Sequence, residues 1–173
     1  MSATSVTPAA VLDRIVAFLG AIDLPVRFGP LPVEGAVPGI TIDHGALVVD
    51  RSEQSFTGDL LHEAGHLALL PPADRSRAHG RLDAEWGGGY ELGAIGWSYA
   101  AAVHLDLPAE VVFHADGYRG ESAWIVDTFA SGCHLGVPLL QWAGLTWEVG
   151  HNPPGQPPYP AMRRWVRSAE TTP

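Results

Sequence analysis

The chain has one cysteine, Cys133, among 173 residues. A lone thiol makes no internal disulfide, and it brings no second cysteine for a redox pair or a Cys-rich metal site. A packed or passive role for Cys133 and a reducing, cytoplasmic setting are the expectations. Charge is scarce as well: charged residues make up 17% of the chain, and 19 acidic residues against 10 basic ones leave a formal net charge of −9. Such a surface repels both a nucleic-acid backbone and an anionic membrane, so neither is expected as a partner. Long apolar runs are missing too. The apolar stretch near the N-terminus has no basic segment before it and is broken by Asp13, Arg14 and Asp23, so it reads as neither a signal peptide nor a spanning segment. There is no internal repeat, and neither flank reads as a DNA-binding domain.

What is present argues for a folded domain. The hydrophobic content of 46% excludes wholesale disorder, while 20 glycines and 15 prolines imply many turns and long connections. The expected organisation is one domain over residues 1–150, followed by a proline-rich tail at 151–173 with a short basic helical turn at Arg163, Arg164 and Arg167. Val11, Ile15, Phe18 and Leu19 recur at helical spacing between Thr7-Pro8 and Gly20, which predicts a capped opening helix. Short apolar groups around 26–28, 40–42 and 47–49, broken by Pro38 and His44-Gly45, predict a small antiparallel sheet. A second helix is expected from a Thr57 cap to Pro71-Pro72, a loop over 73–89, and a buried helix over 90–104. Shorter helices are expected near 107–114, 120–131 and 137–143. The fold class is therefore α+β, a small antiparallel sheet packed on a mainly helical core.

The most specific feature is His62-Glu63-Ala64-Gly65-His66. Residues four apart share a helix face, so both imidazoles can reach one metal ion, and Glu63 on the adjacent edge can take a proton from water there. A catalytic zinc site takes a third protein ligand. Glu91 is the only charged side chain between Tyr90 and Val103, and a carboxylate in apolar company needs compensation. Asp83 and Glu85, in the glycine-rich connection, are the competing candidates. Gly65 would let another backbone pass close beside the site.

Hydrolysis at such a centre would also need a donor for the developing oxyanion. Tyr90, Tyr99, His114 and Tyr118 are candidates. The segment from Phe113 to Gly120 places His114, Tyr118 and Arg119 together, which makes His114 and Tyr118 the favoured catalytic pair. A polar connection whose groups cap their neighbours is the plainer reading of the same residues. Trp97 and Trp124 fall in helical patterns and are expected in the core; Trp142, Trp147 and Trp165 have no assigned place.

With these residues in view, most of the stretch from 8 to 145 resembles the ImmA/IrrE family of zincin-like metallopeptidases. The order of elements is compatible, and the helix that opens with Glu91 carries Ala94 and Trp97 three and six positions on, as in that family. Ile95 stands where the family commonly has asparagine, and Ser98-Tyr99 replaces its usual small residues. The resemblance implies a zincin-like fold, a zinc ion on His62, His66 and Glu91, Glu63 as general base, and a peptide or protein substrate. A bound peptide is expected to add a strand at an edge formed by residues 46–50. Hydrolysis of a non-peptide amide or small molecule, or an inactive zinc-binding regulatory module, are the alternatives.

Overall fold

The computed structural model describes residues 7–82 and 88–169. Among these, α1 (Pro8–Ala21) is followed by strands β1 (Val26–Phe28), β2 (Ile40–Asp43) and β3 (Ala46–Val49). Next come α2 (Asp59–Leu69), the single turn α3 (Pro72–Arg75), α4 (Gly88–His104), α5 (Ser122–Ala130) and α6 (Val137–Trp142). Two 3₁₀ turns, at Ala109–Val111 and Tyr118–Gly120, lie between α4 and α5. The architecture is α+β, with six helices and one three-stranded sheet among the described residues. No described helix is long and apolar enough to cross a membrane.

Helix α1 begins as its sequence requires. The Thr7 hydroxyl accepts from the Ala10 amide at 3.3 Å, and Pro8 fills the first turn. Val11, Leu12, Ile15, Phe18 and Leu19 form its buried stripe.

The sheet departs from expectation. β2 and β3 form an antiparallel hairpin whose turn, His44-Gly45, has φ of 50° and 77°, the left-handed pair that matches strand twist. β1, however, pairs in parallel with β3, giving the order β1-β3-β2 and a mixed sheet. Alternation of apolar residues reports which face of a strand is buried, not which neighbour it takes, so strand direction could not be read from it. The same order corrects the expected binding edge. β3 is bonded on both sides and buried along its length, so residues 46–49 have no free edge for a peptide.

Helix α2 carries the histidine motif and is buried at every position, rather than along one stripe. Its cap is Gly58, not Thr57, and no side chain caps it; residue 58 must be glycine because a Cβ there would sit 1.8 Å from the Val111 carbonyl oxygen. At the other end Leu70 turns extended before Pro71-Pro72. Arg75 closes the C-terminus: its guanidinium donates to the Leu67 and Leu70 carbonyls at 3.0 and 2.9 Å, and to Arg167 O at 2.7 Å. Helix α4 crosses α2 at Gly65, where a Cβ would come within 3.0 Å of Ala94 O. This is the close passage that Gly65 suggested, and Ala94 lies one turn beyond Glu91.

The C-terminal segment is part of the packing. Tyr159, 2% exposed, donates to Gly96 O at 2.8 Å, and the fully buried Trp97 donates from its indole to Trp165 O at 2.8 Å. The helical turn expected at Arg163 to Arg167 does not form. The amides of Arg163 and Arg167 instead bond Leu145 O and Ala68 O, while their guanidinium groups lie over Trp147 and Trp142 at 4.1 and 4.3 Å. Trp165 packs edge-on to Phe18 and Trp97. Trp124 is 56% exposed, not core, because it projects from the outer face of α5. Cys133 is exposed as well.

Candidate metal centre

Consecutive turns of α2 place the two histidine rings 4.8 Å apart and nearly perpendicular, with their Nε2 atoms 3.1 Å from each other. Glu91, in the first turn of α4, faces them: Oε1 lies 3.4 Å from His62 Nε2 and Oε2 lies 3.3 Å from His66 Nε2. The two imidazole nitrogens of α2 and both oxygens of the Glu91 carboxylate therefore face one another. Tetrahedral coordination with bonds of about 2.0–2.1 Å sets neighbouring ligand atoms about 3.3 Å apart, and the closest approach between each pair of side chains is near that spacing, the two Glu91 distances being to different carboxylate oxygens.

The reasoning that singled out Glu91 needs one correction. Its side chain is 42% exposed, against 10% and 7% for the histidines, so it faces an open cleft and is not entombed in the apolar helix. The N-terminal position on α4 favours its charge. Contact with His62 and His66 holds its carboxyl well below the usual carboxylate range. Burial alone would lower the basicity of His62, but Glu91, with the charges of Glu63 and Asp59, raises it above the ordinary value. Asp83 and Glu85 lie outside the described residues.

Glu63 is 2% exposed, and it offers a carboxylate oxygen within 4.8 Å of both histidine donor atoms. Burial pushes its carboxyl upward, opposed by the two imidazoles. A carboxylate so placed accepts a proton more readily than a solvated one.

The 113–120 segment reaches this centre through Tyr118. The phenol oxygen is 3.1 Å from His62 Nδ1, and the two rings meet edge to face. When the Nε2 lone pair of His62 points to the centre, Nδ1–H donates to Tyr118, which fixes ring and tautomer. Burial, with the nearby Asp59, Glu91 and Glu63 charges, raises the phenol well above its ordinary pKa, so it keeps its proton as a donor. His114 does not touch the three converging donors. Its Nε2 pairs with Asp59 at 2.9 Å, and its ring stacks on Phe56 with centroids 3.6 Å apart. Of the other tyrosines considered, Tyr99 stacks on Phe129 away from the centre.

Asp59 is the buried acid beside the site that the motif obscured. It is 6% exposed, one turn before His62 on α2, and burial raises its carboxyl pKa against the opposing pull of His114. A charged residue on the motif's own face, in an otherwise apolar helix, was the available signal.

A cleft of about 300 Å³ opens onto the centre, with His62, Glu91, Tyr118, His114, Phe56 and Pro38 among its walls. A second group of Asp43, His44 and His79 also has metal-ligand chemistry, at the hairpin tip. Comparison of the chain with protein-family models, with curated proteins and with solved structures found no match.

Proposed function

We propose that this protein is a zinc-dependent metallopeptidase of the zincin-like kind that its motif resembles. The observation that carries this reading is the convergence of His62, His66 and Glu91 at tetrahedral spacing, beside a buried carboxylate and at the floor of an open cleft. Two imidazoles and a carboxylate suit zinc better than the harder cations, which prefer all-oxygen sites.

When bound, zinc supplies Lewis acidity, polarising a carbonyl and making water acidic near neutral pH. The remaining work falls to the chain. Glu63 accepts a proton from water as it attacks and returns it to the departing nitrogen. Tyr118 orients His62 through Nδ1 and presents its phenol proton toward the cleft, where oxyanion charge develops. Asp59 holds His114, and the His114-Phe56 stack walls the cleft. Because β3 is enclosed, the substrate lies in this cleft, between Val37-Pro38 and the turn at 116–118, rather than along β3.

The test is Glu63→Gln in zinc-loaded protein assayed against a mixed peptide library. Turnover is expected to fall by about 10²–10⁴-fold, the range for losing a general base, with zinc content unchanged. Retained turnover would sink the base assignment. A wild type that cleaves nothing would favour the inactive zinc-binding module.

A further inference from the structure

The cleft continues past the metal centre. Ser55, Phe56 and His114 wall the 300 Å³ chamber and also a second one of about 310 Å³, which runs between α1 and the 3₁₀ turn at Ala109–Val111. The stacked Phe56 and His114 rings thus form a partition with one chamber on either side. Apart from the imidazoles of His62 and His114, the charges in the walls are negative. Asp59, Glu91 and Asp116 line the first chamber and Glu110 lines the second; among the described residues no arginine lines either, and the chain contains no lysine.

Two of these four carboxylates are already engaged. Asp59 is bonded to His114, and Glu91 faces the two ligand histidines. Asp116 and Glu110 are exposed at the cleft rim, and neither takes part in an ion pair among the described residues. Their surroundings are mainly apolar: Val37, Pro38 and Phe56 in the first chamber, Pro8, Val11 and Val111 in the second. A narrow cleft with low-dielectric walls and unneutralised charge of one sign concentrates its field on whatever enters. Beside Asp116 or Glu110, away from the metal centre, a substrate carboxylate would be repelled, and a neutral side chain would leave both acids unpaired.

We infer that the substrate is a basic peptide, with lysine or arginine side chains flanking the scissile bond and held by Asp116 and Glu110. The inference rests on the peptidase reading for the position of the scissile bond, while the charge preference belongs to the cleft itself. Binding therefore has to be measured apart from turnover. The probe is a fluorophore-labelled peptide with a central Lys-Arg pair, and its comparator carries acetyl-lysine and citrulline at those positions. Both are titrated by anisotropy into zinc-loaded Glu63→Gln protein. We expect the cationic peptide to bind about three- to tenfold more tightly, as two ion pairs at an exposed rim imply. That advantage should shrink with added salt and disappear when Asp116→Asn and Glu110→Gln are added, in protein that keeps its zinc and its circular dichroism.

Equal binding of the two peptides, no binding of either, or a preference that survives both substitutions would overturn the inference. Cleavage by the wild type, run in parallel, separates the two readings. Cleavage of both peptides at equal rates leaves a peptidase without this specificity. Tight, Asp116-dependent binding of the cationic peptide with no cleavage keeps the cleft inference and removes the peptidase.

Discussion

Asp43, His44 and His79 meet at the tip of the β2–β3 hairpin with the same chemistry as His62, His66 and Glu91: two imidazoles and one carboxylate. At the hairpin, Asp43 Oδ1 lies 2.7 Å from His44 Nδ1 and 3.1 Å from His79 Nδ1, while Oδ2 takes Arg27 at 2.6 Å. The Asp43 charge is already shared with a guanidinium, and the imidazoles, 74% and 45% exposed, stay in contact with water. In the core, both imidazoles ride on one buried helix, and the facing carboxylate has no arginine partner. A cation at the hairpin must displace Arg27 and immobilise loose side chains. At α2 the fold has already borne that ordering cost. Residue type thus does not separate the two groups; burial and backbone preorganisation do.

The largest expected effect follows directly. Wild-type protein purified without chelating resin should carry about one zinc per chain by mass spectrometry, and His62→Ala or His66→Ala should weaken zinc affinity by about 100-fold or more, beyond the loss typical of an outer-shell partner. His44→Ala combined with His79→Ala should leave the stoichiometry unchanged. Zinc lost from the hairpin variant but kept by the α2 variants would invert the comparison.

A smaller effect sharpens it. At the buried centre Tyr118 orients a ligand histidine from behind, so Tyr118→Phe should weaken zinc binding by about tenfold, measured by competition with a chromophoric chelator. Unchanged affinity would show that His62 is held by packing alone.

The smallest effect belongs to the hairpin. Hydrogen bonds from Arg27 first, and then His44, keep the Asp43 carboxyl below its ordinary 3.8. A depressed carboxyl favours the folded state above its unfolded value, and that contribution is lost as pH falls through the folded one. NMR titration should therefore find Asp43 ionised below 3.8 and displaced upward in Arg27→Ala, with little change in stability because the pair is exposed. An unmoved titration would mean that the histidines, not Arg27, neutralise Asp43.

Legibility differed from residue to residue. Glu91 stands out in the sequence as an isolated charge in an apolar stretch, and it does face the two histidines, but at 42% exposure it is set off by the cleft and not by desolvation. Asp59 reads in the sequence as an ordinary acid one turn before the motif, since nothing there shows that His114, 55 residues on, returns to meet it. The cap at Gly58 was missed for a similar reason, because the backbone at Val111 that forbids a side chain there is remote in sequence.

Local chain geometry was determined by the sequence itself. Thr7-Pro8 starts α1, Pro71-Pro72 stops α2, His44-Gly45 turns the hairpin, and four-residue spacing puts His62 and His66 on one helix face, because each depends on neighbours within a turn or two. Tertiary structure alone decided that β3 lies inside the sheet, that the C-terminal arginines stack on tryptophans instead of forming a helix, and that Glu91 and Tyr118 reach the histidines of α2. Those outcomes depend on which buried surfaces fit together across long stretches of chain, and the free energy of that fit is not recorded in any local pattern of residues.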